Sequence, residues 1–168
     1  MSQASHYQIQ FKYHFHVIRR LVECATKLSV IDLHENPGYG RGSIYDLFFH
    51  ILRADQSWRV ALETGAQTSS LVAEEYPDLE MLQAGFDCEE MAWQAYLEAV
   101  QDAQIDEVLP LTTRHGKEMP FVHWRILQHV LFHGMQHQAE LAQALTQKGQ
   151  SPGDLDFLFY RDEKKTDH

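Results

Sequence analysis

The chain is poor in cysteine, with only Cys24 and Cys88 among its 168 residues. They lie far apart and form no CxxC pair, which argues against a disulfide framework or a cysteine zinc site, and both read as buried thiols. Positive charge is scarce too: 14 lysines and arginines face 24 aspartates and glutamates, a formal net charge of −10. That balance opposes binding to nucleic-acid phosphates or to an anionic membrane surface, so a small-molecule substrate or another protein is the expected partner. No apolar run approaches the ~20 residues that cross a bilayer. The opening "MSQASHYQIQFKYH" lacks the basic start and apolar stretch of a signal peptide. The expectation is a cytoplasmic protein of one domain, 1–168, with a charged, mobile tail over about 161–168.

Four segments carry helical periodicity. Phe11, Phe15, Ile18, Leu21, Val22, Ala25 and Leu28 recur at three- and four-residue steps and predict a helix over about 5–29, ending before the turn-rich "ENPGYGRGS". A second begins at Ser43, whose hydroxyl can cap it, with Asp46 favouring the positive end of the dipole. Its stripe is Ile44, Leu47, Ile51, Ala54, Trp58 and Leu62. A third starts near Pro77 or Asp78 and carries Leu82, Phe86, Trp93 and Leu97. The fourth runs from about Pro120, acceptable in a first turn, to Gln147, with Gly149 as its stop. Between them "EVLPLTTRHGKEM" reads as a short β-hairpin turning at His115 and Gly116. Burying four one-sided stripes together gives an all-α four-helix bundle, with that hairpin before the last helix. The long connections leave the helix order open. In the tail, Leu155, Phe157, Leu158 and Phe159 are candidates for packing against the bundle.

Histidine is what the chain has in plenty, eleven in all. "LQHVLFHGMQHQAEL" places His129, His133 and His137 one turn apart, and residues four apart on a helix bring two imidazoles within reach of one metal ion. His137 falls inside the stripe of Leu127, Leu131, Gly134, Leu141 and Leu145, and His133 lies beside it. On the second helix His50, three residues after Leu47, is also directed inward. Together His50, His133 and His137 would make a three-histidine site with an open position, the arrangement of catalytic rather than structural zinc. A lone HxxxH arises readily by chance in so histidine-rich a chain. His129 is open as an alternative ligand, but ~12 Å of helix axis separates it from His137, which favours a role behind the ligands or in the core. His14, His16, His34, His115 and His123 lack such spacing and read as surface or locally bonded groups. Trp58, Trp93 and Trp124 read as core. No HExxH or ExxH motif is present.

These residues resemble the DinB/YfiT-like family of metalloenzymes. "SIYDLFFHILRADQSW" is similar to that family's second-helix pattern of histidine, acid and tryptophan, here His50, Asp55 and Trp58. "LQHVLFHGMQHQAELAQALTQKGQSPGDLDF" resembles its fourth-helix pattern through His129, His133, His137, Gly149, Pro152 and Asp156. The resemblance implies a four-helix bundle, commonly a homodimer, with a divalent metal on the positions His50, His133 and His137. Relatives include thiol-dependent S-transferases and isomerases. The chain departs from the frequent "HHRGQ" ending, reading Gln136, His137, Gln138, Ala139 and Glu140, so activity tied to that arginine or glutamine does not carry over.

The leading expectation is therefore a divalent-metal-dependent enzyme, with a low-molecular-weight thiol as the first-choice substrate in an S-transfer reaction. Metal-assisted hydrolysis is the alternative, and a non-enzymatic metal-binding stress-response bundle is the reading from a different class. Zinc is the first choice of metal, and nickel, iron and copper also suit imidazole. Asp55 and Glu140 are candidate partners of the ligands or general bases, though either can equally be a carboxylate on a helix face. No catalytic residue is assigned.

Overall fold

The computed structural model describes residues 2–38, 40–68 and 71–162. Helix α1, Gln3–Ala25, starts where Ser2 accepts from the Ser5 amide. The Asp102 carboxylate accepts from the amides of Gln3 and Ala4, satisfying two more of its free donors. It stops earlier than the periodicity predicts. Ser29 caps a separate one-turn helix, α2, Val30–His34, so Leu28 lies in the turn between them. Helix α3, Ile44–Thr64, opens on a reciprocal capping box between Ser43 and Asp46. Just before it Gly42 has φ +104°, and a Cβ there would fall 2.5 Å from the Asp46 carboxylate, so the tight entry into α3 requires glycine. Helix α4, Leu79–Ala99, is capped by Asp78.

Strands β1, Val108–Thr112, and β2, Glu118–Val122, form the expected antiparallel hairpin. Pro120 belongs to β2 rather than to a helix, a correction with a clear cause. It stands opposite Pro110, and two residues without N–H groups can face each other only where the ladder needs no bond from either. Helix α5, His123–Gln147, begins directly after β2, and its first amides donate to the carbonyls of Glu107 and Ile105. At its other end Gly149 (φ +78°) and Gln150 donate back to Thr146 and Leu145, closing the helix as expected.

Helices α1 and α3 each pack on both α4 and α5, giving the cyclic order α1, α4, α3, α5. Phe11, Phe15, Ile18, Phe48, Ile51, Leu52, Leu82, Phe86, Trp93, Leu97, Leu127 and Leu141 fill the centre. Ala61, Leu111 and Ile126 form a smaller core that fastens the hairpin to α3 and α5. Some expectations need correction. Cys24 is buried but Cys88 is exposed. Trp93 is core, whereas Trp124 is exposed and Trp58 only half-buried. Leu155 packs on the bundle while Phe157, Leu158 and Phe159 stand largely in solvent. Of the tail expected to be mobile, residues 163–168 lie outside the described residues, and Asp162 pairs with Lys12 at 2.7 Å. Among the described residues no helix is long and apolar enough to cross a membrane.

Candidate metal centre

Helix α3 directs His50, and α5 directs His133 and His137, to one point near the bundle's edge. Ring centroids lie 4.9 Å apart for His50 and His133, 4.7 Å for His50 and His137, and 4.6 Å for His133 and His137. One nitrogen from each ring falls within 4.8 Å of the others. The Nε2 atoms of His50 and His133 are 3.0 Å apart, close to the ~3.3 Å that two bonds of ~2.0–2.1 Å to a tetrahedral ion would set. Nδ1 of His137 is engaged with the Glu140 carboxylate at 2.8 Å, leaving Nε2 as its ligand atom. His137 is buried, and the other two rings are half-buried. The donor set thus fits a single divalent ion.

Electrostatics favours the ligand form of these rings. Burial, then the charge of Arg41, then neighbouring His137 and Arg53, push His50 down to about 4, with Glu140 opposing. Burial and the neighbouring histidines, His137 first, push His133 down to about 3. Both rings are neutral at pH 7, with nitrogen lone pairs to offer. One neutral imidazole can donate to the other between the Nε2 atoms of His50 and His133, and the same nitrogens can instead serve a shared ion.

His129 stands outside this group. It is exposed, its ring 5.2 Å from that of Trp58 and 5.9 Å from that of His133, so it is neither a member of the cluster nor a core residue. Of the two carboxylates considered from the sequence, Glu140 is the one in contact with a ring of the cluster. Asp55 is not, since five residues at ~100° each carry it well around α3 from His50. It is fully buried, with Oδ2 2.9 Å from Nε2 of His14. His14, expected at the surface or locally bonded, is buried deep in the bundle, and the Gln138 amide donates to its Nδ1 and to its carbonyl, both at 3.0 Å. The ring of His14 lies over Gly134, where a Cβ would come within 2.3 Å of it. His123 is locally bonded, with Nδ1 3.0 Å from the Gln104 carbonyl and Nε2 2.8 Å from the Tyr96 hydroxyl. Burial pushes that phenol's pKa up, so it donates to Nε2.

Sequence reasoning overlooked His14 and Gln138 although a signal was present. Each occupies a core position of its helix's apolar stripe, Phe11–His14–Phe15–Ile18 in α1 and Gly134–Gln138–Leu141 in α5. Polar residues at such positions predict partners across the core.

Among solved structures, the chain is similar to that of a DinB-like protein, YjoA, from Bacillus subtilis. The TM-score is 0.65 at 20% identity, over 93% of this chain and 99% of that one, a likeness of fold. A comparison with curated proteins finds no match. The sequence profile of the DinB family matches residues 1–167, nearly the whole length over which the bundle and its histidines are built, and the chain belongs to the DinB family.

Proposed function

We propose that the protein is a divalent-metal-dependent enzyme, its ion held by His50, His133 and His137, acting in S-transfer with a low-molecular-weight thiol. The observation that carries this is the convergence of three ring nitrogens within 4.8 Å, two of them on rings kept neutral by burial. A divalent ion held there supplies Lewis acidity that lowers the pKa of a thiol or of water at an open position. The chain's own contribution is orientation. The Glu140 carboxylate fixes the tautomer of His137, while α3 and α5 hold the rings together through the core behind them. The candidate ligand set among the described residues has three members, the number typical of catalytic sites, which supports an enzyme over a purely structural site. Zinc suits an all-imidazole set. The thiol as substrate rests on the family resemblance, as does a homodimeric assembly.

Metal analysis of untagged protein tests the first half: one ion bound per chain is expected, and its loss in His137→Ala. Protein that stays metal-free after incubation with zinc would overturn the proposal. Cobalt-substituted protein titrated with glutathione tests the second half. A new thiolate-to-metal absorption band is expected, and an unchanged spectrum would leave metal-assisted hydrolysis as the better reading.

A further inference from the structure

A pocket of about 570 Å³ opens beside His50, within the range that suits a metabolite-sized ligand. From α3 come His50, Arg53, Ser57 and Trp58, from the segment after α3 comes Gln67, and from the hairpin turn comes Arg114. Among the described residues the lining has two arginines and no carboxylate, in a chain whose net charge is −10. Arg19, Arg20 and Arg59 each face a glutamate. Arg53 and Arg114, both exposed, make no ion pair among the described residues. Arg53 lies 5.8 Å from the Phe49 ring centroid, and Nε of Arg114 donates to His115 at 3.3 Å.

The fold keeps Arg114 at this wall. The amide of Gln67 donates to the Thr112 carbonyl at 2.7 Å, that of Thr112 donates to Gly65 at 2.9 Å, and the Arg114 amide donates to the Gln67 side chain at 3.4 Å. Those bonds join the hairpin to the end of α3. Two guanidiniums without an ion pair among the described residues, an aromatic wall and a hydroxyl thus border a cavity that reaches one of the three clustered imidazoles. Guanidinium forks match the planar geometry of carboxylate and the oxygens of phosphate, and bind them more strongly than neutral donors do.

The geometry points to this pocket as the binding site of a small organic anion, its carboxylate or phosphate held by Arg53 and Arg114, its body against Trp58 and its other end toward His50. This names the substrate class of the proposed metal site and rests on that reading for its catalytic meaning. Binding by the arginines does not itself require the metal.

The test titrates full-length protein, metal-free and zinc-loaded, with succinate and separately with inorganic phosphate at an ionic strength held constant with sodium chloride. Calorimetry gives affinity, and the side-chain Nε–H signals of the wild-type arginines give location without any substitution. Saturable binding is expected, with the Arg53 and Arg114 signals shifting. Arg53→Gln and Arg114→Gln should each weaken it about tenfold or more, and Arg125→Gln on the outer face of α5 should not. Tighter succinate binding identifies a carboxylate ligand, and tighter phosphate binding a phosphate-bearing one. Binding indifferent to both substitutions, or no saturable binding of either probe, overturns the inference. Arginine-dependent binding in a protein that takes up no zinc would sink the metal reading alone. Zinc uptake without arginine-dependent binding would sink this one alone.

Discussion

Helices α3 and α5 each contribute to two polar clusters that meet opposite fates. At the rim, His50, His133 and His137 bring imidazoles together, with one carboxylate behind one ring. In the core, five residues along α3 and one along α5, Asp55 and Gln138 hold His14 from α1. The rim cluster offers ring nitrogens to one another and is partly open to solvent. In the core cluster both nitrogens of His14 are engaged, and its ring fills the space above Gly134. Histidine alone therefore decides nothing. A carboxylate and an amide on its ring nitrogens make it a structural link, whereas a cluster of neutral rings at the rim suits it to a shared ion.

The comparison breaks most decisively if the two clusters exchange roles under mutation. His133→Ala leaves two ligands, and metal affinity should fall by more than ~100-fold, beyond the ~10–100-fold that changes behind a ligand cost. The fold should persist, because this half-buried ring is not part of the apolar core. His129→Ala should retain the metal. Equilibrium dialysis with zinc checks both, and undiminished binding in His133→Ala would remove that residue from the site.

Asp55→Ala should show the reverse pattern. Removing the carboxylate leaves the buried Nε2 of His14 without its partner, at a cost of about 2–3 kcal/mol. Gly134→Ala should cost about 1–3 kcal/mol by forcing the ring of His14 aside. Urea unfolding of the metal-free proteins measures both. A stability loss in His133→Ala as large as in Asp55→Ala would erase the distinction between rim and core.

Smaller still is the effect of the carboxylate behind the ligands. Glu140→Ala should weaken zinc binding about tenfold, at the low end for such partners because this side chain is 42% exposed. A loss as great as that of His133→Ala would mean that Glu140 itself ligates the metal.

The rim was legible in the sequence because its signal is local. The four-residue step between His133 and His137 lies within one helix, and the capping box at Ser43 fixes the phase of His50. Four stripes sufficed for a bundle, but not for the order of its helices, which depends on long-range packing. The core cluster was missed because its partners lie 41 and 124 residues apart, and no local period joins them. Asp55 looked like a neighbour of His50 because sequence distance is short, yet the helix turns it to a different face. The arginine pocket needed tertiary structure as well, since Arg114 reaches it only through bonds between the hairpin and the end of α3.

The least pronounced expected difference is in pH dependence, where the clusters carry opposite signs. In the metal-free protein His50 and His133 titrate at about 4 and about 3, below the ~6.5 of an unfolded histidine. Between those values the unfolded chain binds protons that the folded rim does not, so stability falls as pH drops from ~6.5 toward the folded pKa values. Solvent at these half-buried rings moderates the effect. For Asp55 burial raises the pKa, with His14 opposing. Over the window above the ordinary carboxylate value of ~3.9, the folded state holds a proton that the unfolded chain has released. Stability from Asp55 therefore rises as pH falls through that window, partly offsetting the rim. Urea midpoints of metal-free protein between pH 7 and pH 4 should then decline less steeply in His133→Gln than in the wild type. They should decline more steeply in Asp55→Asn, which has lost the opposing contribution. Parallel curves for all three proteins would show that neither cluster shapes the pH response.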